Sequence, residues 1–489
     1  MKKKYIILSI ITLVLLIAFV TSFNYFKTSN TYVENNSNNQ TKITKGISMN
    51  LEQTAGAGDY KQVTQSSWPT EGYKFNAELS KCENGGEISW DDTKKAVIVS
   101  GNLSDKCYVY FDIYQLTLAE YIKSQYTGTQ GDNALYYHNS TLTNGAGDNS
   151  YRYAGGDYVL TEAGKATGAT MMIGYNNSVT TALIDFYCNG TKQYVGYASS
   201  CSTSHYYLIK GDTTQYQTYN EALNASVEKG YLTKDNVKNF VCFGSDATTC
   251  PTENLYRIIG VFNNHVKLIK YDYAKSSLLG TDGDFSQEYT SNYFSGEQGE
   301  SPSSNSLYYW NNAGTNTWSA SKLNTVNLNT NFTTNIGTAW ANKIATTTWK
   351  VGGGTYANLR DAVPKTAYQY EVGSSASTTT YDAKIGLMYV SDYYYSASPS
   401  AWTLVGYNSD YTKSYASAKG ENWLYGGGWD WTISRNSDYS NYAFRVYNYG
   451  HVNHFYVDYH CGVRPSFSLL SSTTYVSGSG SMSDPVRIN

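Results

Sequence analysis

The chain opens with three lysines, Lys2 to Lys4, followed by a largely apolar run from Tyr5 to about Val20. Cationic residues ahead of an apolar run predict an uncleaved signal anchor with the lysines cytoplasmic, the alternative being a removed signal peptide; either way the bulk of the protein is exported. The run is short for a membrane span and long for the core of a signal peptide. Polar, aperiodic sequence follows to about residue 46, as in a stalk or linker. From about Ile47 the pattern alternates with a period of two. Ala96, Ile98 and Ser100 and then Tyr108, Tyr110 and Asp112 mark strands, punctuated by turns at Asn84-Gly85-Gly86 and Gly101-Asn102. This predicts a small antiparallel β domain over 47–115.

Helical spacing appears at 117–126, where Leu118, Tyr121 and Ile122 share a face, and again within 218–240. Residues 116–238 therefore read as a middle α+β region. Beyond residue 239 the pattern becomes more regular. Residues 255–272 predict a hairpin turning at Asn263-Asn264. Residues 317–349 contain helical pieces carrying Leu323, Val326, Leu328, Trp340 and Ile344. "YDAKIGLMYVSDYYY" (381–395) predicts a buried strand. Two stretches, near 187–212 and 240–272, each place two cysteines before a strand ending in Leu-Ile-Lys, a faint internal repeat. The fold class is α+β, with small disulfide-linked β-rich parts ahead of a C-terminal domain over 239–489.

Composition narrows the classes of function. The 489 residues carry a net charge of −3 and only 15% charged residues, which leaves no electrostatic footprint for nucleic acid. Tyrosine is abundant, at 50 residues, and proline is scarce, at 7. Tyrosine offers rigid amphipathic contact area at low entropic cost, as binding surfaces require. Seven cysteines in an exported chain suggest disulfides, and proximity suggests Cys82–Cys107, Cys188–Cys201 and Cys242–Cys250, with Cys461 left over.

Three blocks carry a resemblance: the hairpin 255–272, Trp429-Asp430-Trp431-Thr432, and Gly462-Val463-Arg464-Pro465. Together they resemble the formylglycine-generating-enzyme branch of the C-type-lectin-like fold, over roughly 239–489. The resemblance implies a structural, half-buried or buried arginine at Arg464, bonded to carbonyls or a carboxylate, and core roles for Trp429 and Trp431. It does not carry the activity across. The enzymes use paired cysteines near the C-terminus, one of them just after the Gly-Phe-Arg block. Here Pro465 holds that place, and Cys461 has no second thiol nearby in sequence. Ca²⁺-dependent lectin motifs are absent too.

Variable proteins of diversity-generating retroelements share this fold and fit better. In them, adenine-directed mutagenesis turns AAC or AAT codons into any NNC or NNT codon, which excludes Lys, Glu, Gln, Met and Trp. The stretch Asn436 to Cys461 contains none of those five types. The competing explanation is chance in a chain rich in Tyr and Asn.

A stretch that varies must still fold. Ala443, Phe444, Val446, Gly450, Val452, Val457 and Gly462 are expected to form its scaffold. Tyr439, Tyr442, Arg445, Tyr447, Tyr449, His451, Asn453, His454, Tyr456, Asp458, Tyr459 and His460 are expected to point outward as ligand-binding residues. Several of these tyrosines could equally just cover strand faces. His451-x-x-His454 with Asp458, His460 and Cys461 could in principle bind zinc, but no helix aligns them. Asp282, Asp284 and Glu288 could ring a Ca²⁺, although a solvated acidic turn explains them more simply. No catalytic motif is found, so no metal, cofactor or catalytic residue is assigned. The expectation is a membrane-anchored bacterial surface protein that binds an external protein or glycan and no nucleic acid. The alternative is a structural or adhesive module without a variable site.

Overall fold

The computed structural model describes residues 46–64, 67–69, 72–101, 105–174, 180–193, 201, 204–289 and 305–489. The expected signal anchor lies outside the described residues. The protein is of mixed helix and sheet, with three disulfides: Cys82–Cys107, Cys188–Cys201 and Cys242–Cys250, the three pairs that proximity suggested. Each closes a short loop between or beside strands, so few alternative partners compete. The chain divides between Gln115 and Leu116 into two compact units.

The first unit centres on a four-stranded sheet ordered Tyr60–Val63, Ile47–Glu52, Cys107–Ile113, Tyr73–Cys82. It departs from the antiparallel expectation at its middle pair, where Ile47–Glu52 runs parallel to Cys107–Ile113. The two strands are far apart in sequence, so no tight turn forces them to run antiparallel. Met49, Leu51, Val109 and Phe111 are buried, and Trp68, Phe75 and Trp90 pack around them. So few buried side chains supply little hydrophobic stabilisation, and the Cys82–Cys107 bridge across paired strands compensates.

The second unit is built on a seven-stranded antiparallel sheet. Its order is Ile385–Gly386, Ser466–Ser468, His265–Lys270, Leu255–Phe262, Tyr151–Tyr153, Leu135–Tyr137, with Phe240–Cys242 also paired to Leu255–Phe262. Strands from both sides of residue 239 thus share one sheet. The central hairpin turns at Asn263 and Asn264, both at positive φ, as a two-residue turn of primed type demands. Its first strand bulges between Ile258 and Gly260. A Cβ on Gly260 would come within 2.3 Å of the Tyr151 carbonyl oxygen, so only glycine allows that strand to approach.

A smaller core lies around Ala182–Cys188 and its partner strands. Leu183, Ile184, Phe186 and Ile209 pack there on the helix Tyr219–Glu228. That helix and Leu118–Ser124 both begin with a capping box, at Thr218/Glu221 and Thr117/Glu120. Leu323–Phe332 winds as a π-helix, which buries Leu323, Leu328 and Phe332 in the main core.

One expected strand is partly a helix. Within 381–395, Thr380–Ala383 and Ile385–Gly386 are strands, but Val390–Tyr395 is helical and wholly buried. Continuous apolar runs do not separate buried strand from buried helix. Here two carboxylates at the N-terminus settle it. Asp392 accepts from the Tyr389 amide, and Glu371 accepts from the amides of Val390 and Ser391.

Burial pushes the Glu371 carboxyl up from 4.5 to about 7, against hydrogen bonds from Ser391, Ser434 and the Val390 amide. A carboxyl raised in the folded state stabilises most when protonated. Its contribution is full below about pH 4.5 and is lost as pH rises to about 7. Wild type should therefore lose stability relative to Glu371→Gln across that window. Thermal unfolding of both proteins from pH 4.5 to 7 measures this, and a pH-independent difference would refute it.

Candidate functional site: a two-faced aromatic sheet

Asp430–Arg435, Tyr442–Val446 and Val452–Tyr456 form a three-stranded antiparallel sheet. It is anchored before it presents anything. Trp431 is fully buried and donates Nε1–H to the Tyr308 carbonyl, while Trp310 donates to that of Thr432. Arg464 is buried and donates to Asp430 at 2.6 Å and to the Leu424 carbonyl at 2.7 Å. This matches the carbonyl-and-carboxylate environment expected for it. Burial pushes Asp430 up to about 6, while the Arg464 charge acts to lower it. Trp429 is only half-buried, unlike Trp431.

The loop 436–441 is held from outside the stretch. The Asn316 side chain donates to the carbonyls of Asn436, Tyr439 and Tyr442 at 2.7–2.8 Å. Gly353 lies against the Arg435 carbonyl, where a Cβ would come within 1.9 Å, and its φ of +63° also favours glycine.

The seven expected scaffold positions, Ala443, Phe444, Val446, Gly450, Val452, Val457 and Gly462, are all buried. The twelve expected contact residues do not form one surface. Alternation along the strands divides them. On one face, Tyr442 lies opposite Tyr456, and His454 lies opposite Phe444. The rings of Tyr439, Tyr442, His454 and Tyr456 cluster there, joined by Tyr356, whose ring centroid is 4.0 Å from that of His454. Tyr439 and Tyr456 are about half exposed, at 48% and 46%. The Tyr456 hydroxyl and burial push Tyr442 up to about 12.

On the other face, Arg445 is enclosed. Its guanidinium carbon lies 4.1 Å from the ring centroid of Phe455, 4.7 Å from Trp429, 5.3 Å from Tyr447 and 5.5 Å from Tyr459. His451 stacks on Tyr447 and also meets Tyr407 and Tyr449, and His460 stacks on Tyr459. Arg445 and His451 contradict the expected outward orientation, with exposures of 2% and 4%. The amphipathic arginine finds four rings to cover it, and the flat imidazole fits between tyrosines. Asn453 is half-buried opposite Arg445 and accepts from the His454 amide. Asp458 is exposed on the turn that follows.

His451 and His454 are both lowered to about 4, first by burial and then by neighbouring cations. His460 is lowered for the same reasons. Around neutral pH the rings of His451 and His454 are uncharged. The ring neighbours of His451 and of His454 have no residue in common, so the His-x-x-His spacing does not make a pair of metal ligands. Among the described residues no group of three His, Cys, Asp or Glu is placed to hold a metal ion. Asp284, once a Ca²⁺ candidate, is buried and accepts from the amides of Asn312 and Leu323. Cys461 is buried, pushed up to about 11 by that burial, and accepts from Arg445 Nη1 at 3.5 Å.

Tyr356 and Tyr407, joined through Arg360 stacked over both rings, belong to the site but lie far upstream of it in sequence. Nothing in their local pattern marks them. Phe455 was readable only as one more aromatic in an aromatic stretch. No protein-family model matches the chain, and no curated protein or solved structure is detectably similar to it.

Arg445 has no carboxylate partner among the described residues, and its Nε makes no hydrogen bond. A buried cation costs several kcal/mol in desolvation, and each ring returns about 0.5–2 kcal/mol. The two nearly cancel. Arg445→Met, which keeps most of the volume, should therefore change stability by less than about 1 kcal/mol. Arg445→Ala should cost about 3 kcal/mol through the void left among the rings. Equilibrium urea unfolding of both variants decides this, and equal losses would show that the charge itself stabilises.

Proposed function

We propose that the protein is a membrane-anchored bacterial surface protein whose C-terminal domain has a C-type-lectin-like fold and binds an external protein or glycan. The contact surface is the exposed face of the small sheet, carrying Tyr439, Tyr442, His454 and Tyr456 with Tyr356 beside them. One observation carries this reading. Within 436–461 the apolar strand positions Ala443, Phe444, Val446 and Val452 are buried, while the exposed positions, Ser437, Asp438, Tyr439, Ser440, Tyr456 and Asp458, hold side chains suited to contact. The residue types excluded by NNC and NNT codons are absent from the same stretch. The stretch is a diversified region in this reading, and the buried strand centres let it change without unfolding.

Arg445, His451 and Cys461 fall on the other side of that division. They are buried and touch the scaffold, so changes there cost packing. The test is genetic. The gene should lie beside a reverse transcriptase and a near-copy of the 436–465 coding stretch that carries adenines where the two differ. Among isolates, substitutions should concentrate at Tyr439, Tyr442, Tyr456 and Asp458 and spare Ala443, Phe444 and Val452. Absence of the near-copy, or substitutions spread evenly over both sets, would remove the variable part of the proposal.

A further inference from the structure

A cavity of about 300 Å³ lies in the second unit and shares no lining residue with the aromatic sheet. It forms where the tip of the central hairpin (Phe262, Asn263) meets the strand Thr347–Lys350 and the helix Val390–Tyr395. Asn263 and Thr348 on its lining are exposed, so it reaches the surface. This is the size at which clefts begin to hold small molecules.

Its lining holds an unusual set of charges. Arg152 is paired with Asp148 at 2.6 Å, and Lys267 with Asp392 at 2.5 Å. Both cations are more than nine-tenths buried. Buried ion pairs are a poor source of stability, because desolvation offsets their attraction. Two of them at one cavity call for another reason. Donors also outnumber acceptors there. Lys267 spends one of its three ammonium protons on Asp392, and Arg152 Nη1 has no acceptor among the described residues. Lys350 also belongs to the lining and has no ion pair among the described residues, so the charged lining residues sum to one positive charge in excess.

The rest of the lining suits a hydroxylated ring. Thr347, Ser468 and Asn263 belong to the lining, and none of their side-chain polar groups is engaged in a hydrogen bond among the described residues. Phe262, Tyr368 and Tyr389 also line it, with the Arg152 guanidinium or the Lys267 ammonium 4.6–6.0 Å from each ring centroid, so rings and cations form one amphipathic surface of the kind sugars pack against. We propose that this cavity binds a monosaccharide-sized hydroxylated carboxylate, that is, an acidic sugar, as a site separate from the aromatic sheet. The carboxylate meets the spare donors of Arg152, Lys267 and Lys350, and the hydroxyls meet Thr347, Ser468 and Asn263.

Calorimetric titration of the full-length chain with glucuronate, N-acetylneuraminate, glucose and benzoate tests this. At least one acidic sugar should bind about tenfold or more tightly than glucose. Lys350→Glu should weaken that binding at least about tenfold, with unchanged thermal unfolding. Tyr442→Ala should leave it unaltered, which separates this site from the function proposed for the sheet. Equal binding of glucose and both acidic sugars, no binding of either acid, or binding untouched by Lys350→Glu would overturn the proposal. Benzoate binding as tightly as the acidic sugars would overturn the sugar assignment.

Discussion

The buried pair of Arg464 with Asp430 is the joint on which the C-terminal architecture depends. Asp430 begins the small aromatic sheet, and Arg464 stands just ahead of Ser466–Ser468, a strand of the central sheet. One guanidinium therefore ties the presenting element to the main core. It also takes the Leu424 carbonyl, so the Gly- and Trp-rich segment before the sheet is fixed by the same group. Arg464 Nε and Nη2 both meet Asp430 Oδ2 while Nη2 also takes the Leu424 carbonyl, a set of contacts that the planar guanidinium can make and lysine could not reproduce. Removing either partner would leave an uncompensated buried charge, at a cost of about 3–5 kcal/mol.

From that joint outward, rigidity is supplied by residues that do not belong to the stretch they support. Asn316 gathers three carbonyls of the loop, Gly353 lets a neighbouring backbone approach, and Tyr393 donates to the Gly450 carbonyl at the far turn. A surface built this way can exchange its exposed side chains with little effect on the fold, because its backbone is held through main-chain groups. The arrangement also sets a limit. Arg445, enclosed by four rings, links Trp429 to three residues of the stretch itself, so that face is coupled internally where the other is open.

The cavity beside the central hairpin follows a different design. The aromatic sheet exposes tyrosine rings with serine and aspartate side chains beside them, and burial holds its His451 and His454 neutral. The cavity gathers charges in pairs and leaves donors in excess. The two sites would recognise chemically different partners, and they share no residue through which a change at one must alter the other.

Local patterns were legible without coordinates wherever the deciding forces act between near neighbours. The three disulfides, the Asn263-Asn264 turn and the helices at 118–124 and 219–228 all belong to this group. Burial of Arg464 and Trp431 followed from a resemblance rather than from any pattern. What the chain could not announce were the outcomes that need distant residues to meet. The parallel pairing in the first unit depends on strands more than fifty residues apart. Helix at Val390–Tyr395 depends on Glu371 reaching its N-terminus. Arg445 and His451 look like surface residues until Trp429, Phe455 and Tyr407 cover them, and Tyr356 joins the site from about a hundred residues upstream. Sequence alone thus determined which cysteines pair and where the central hairpin turns, because neighbouring backbone and short loops decide those. Only the tertiary structure decided which side of the small sheet is open, because burial is a property of everything packed against a residue and not of the residue itself.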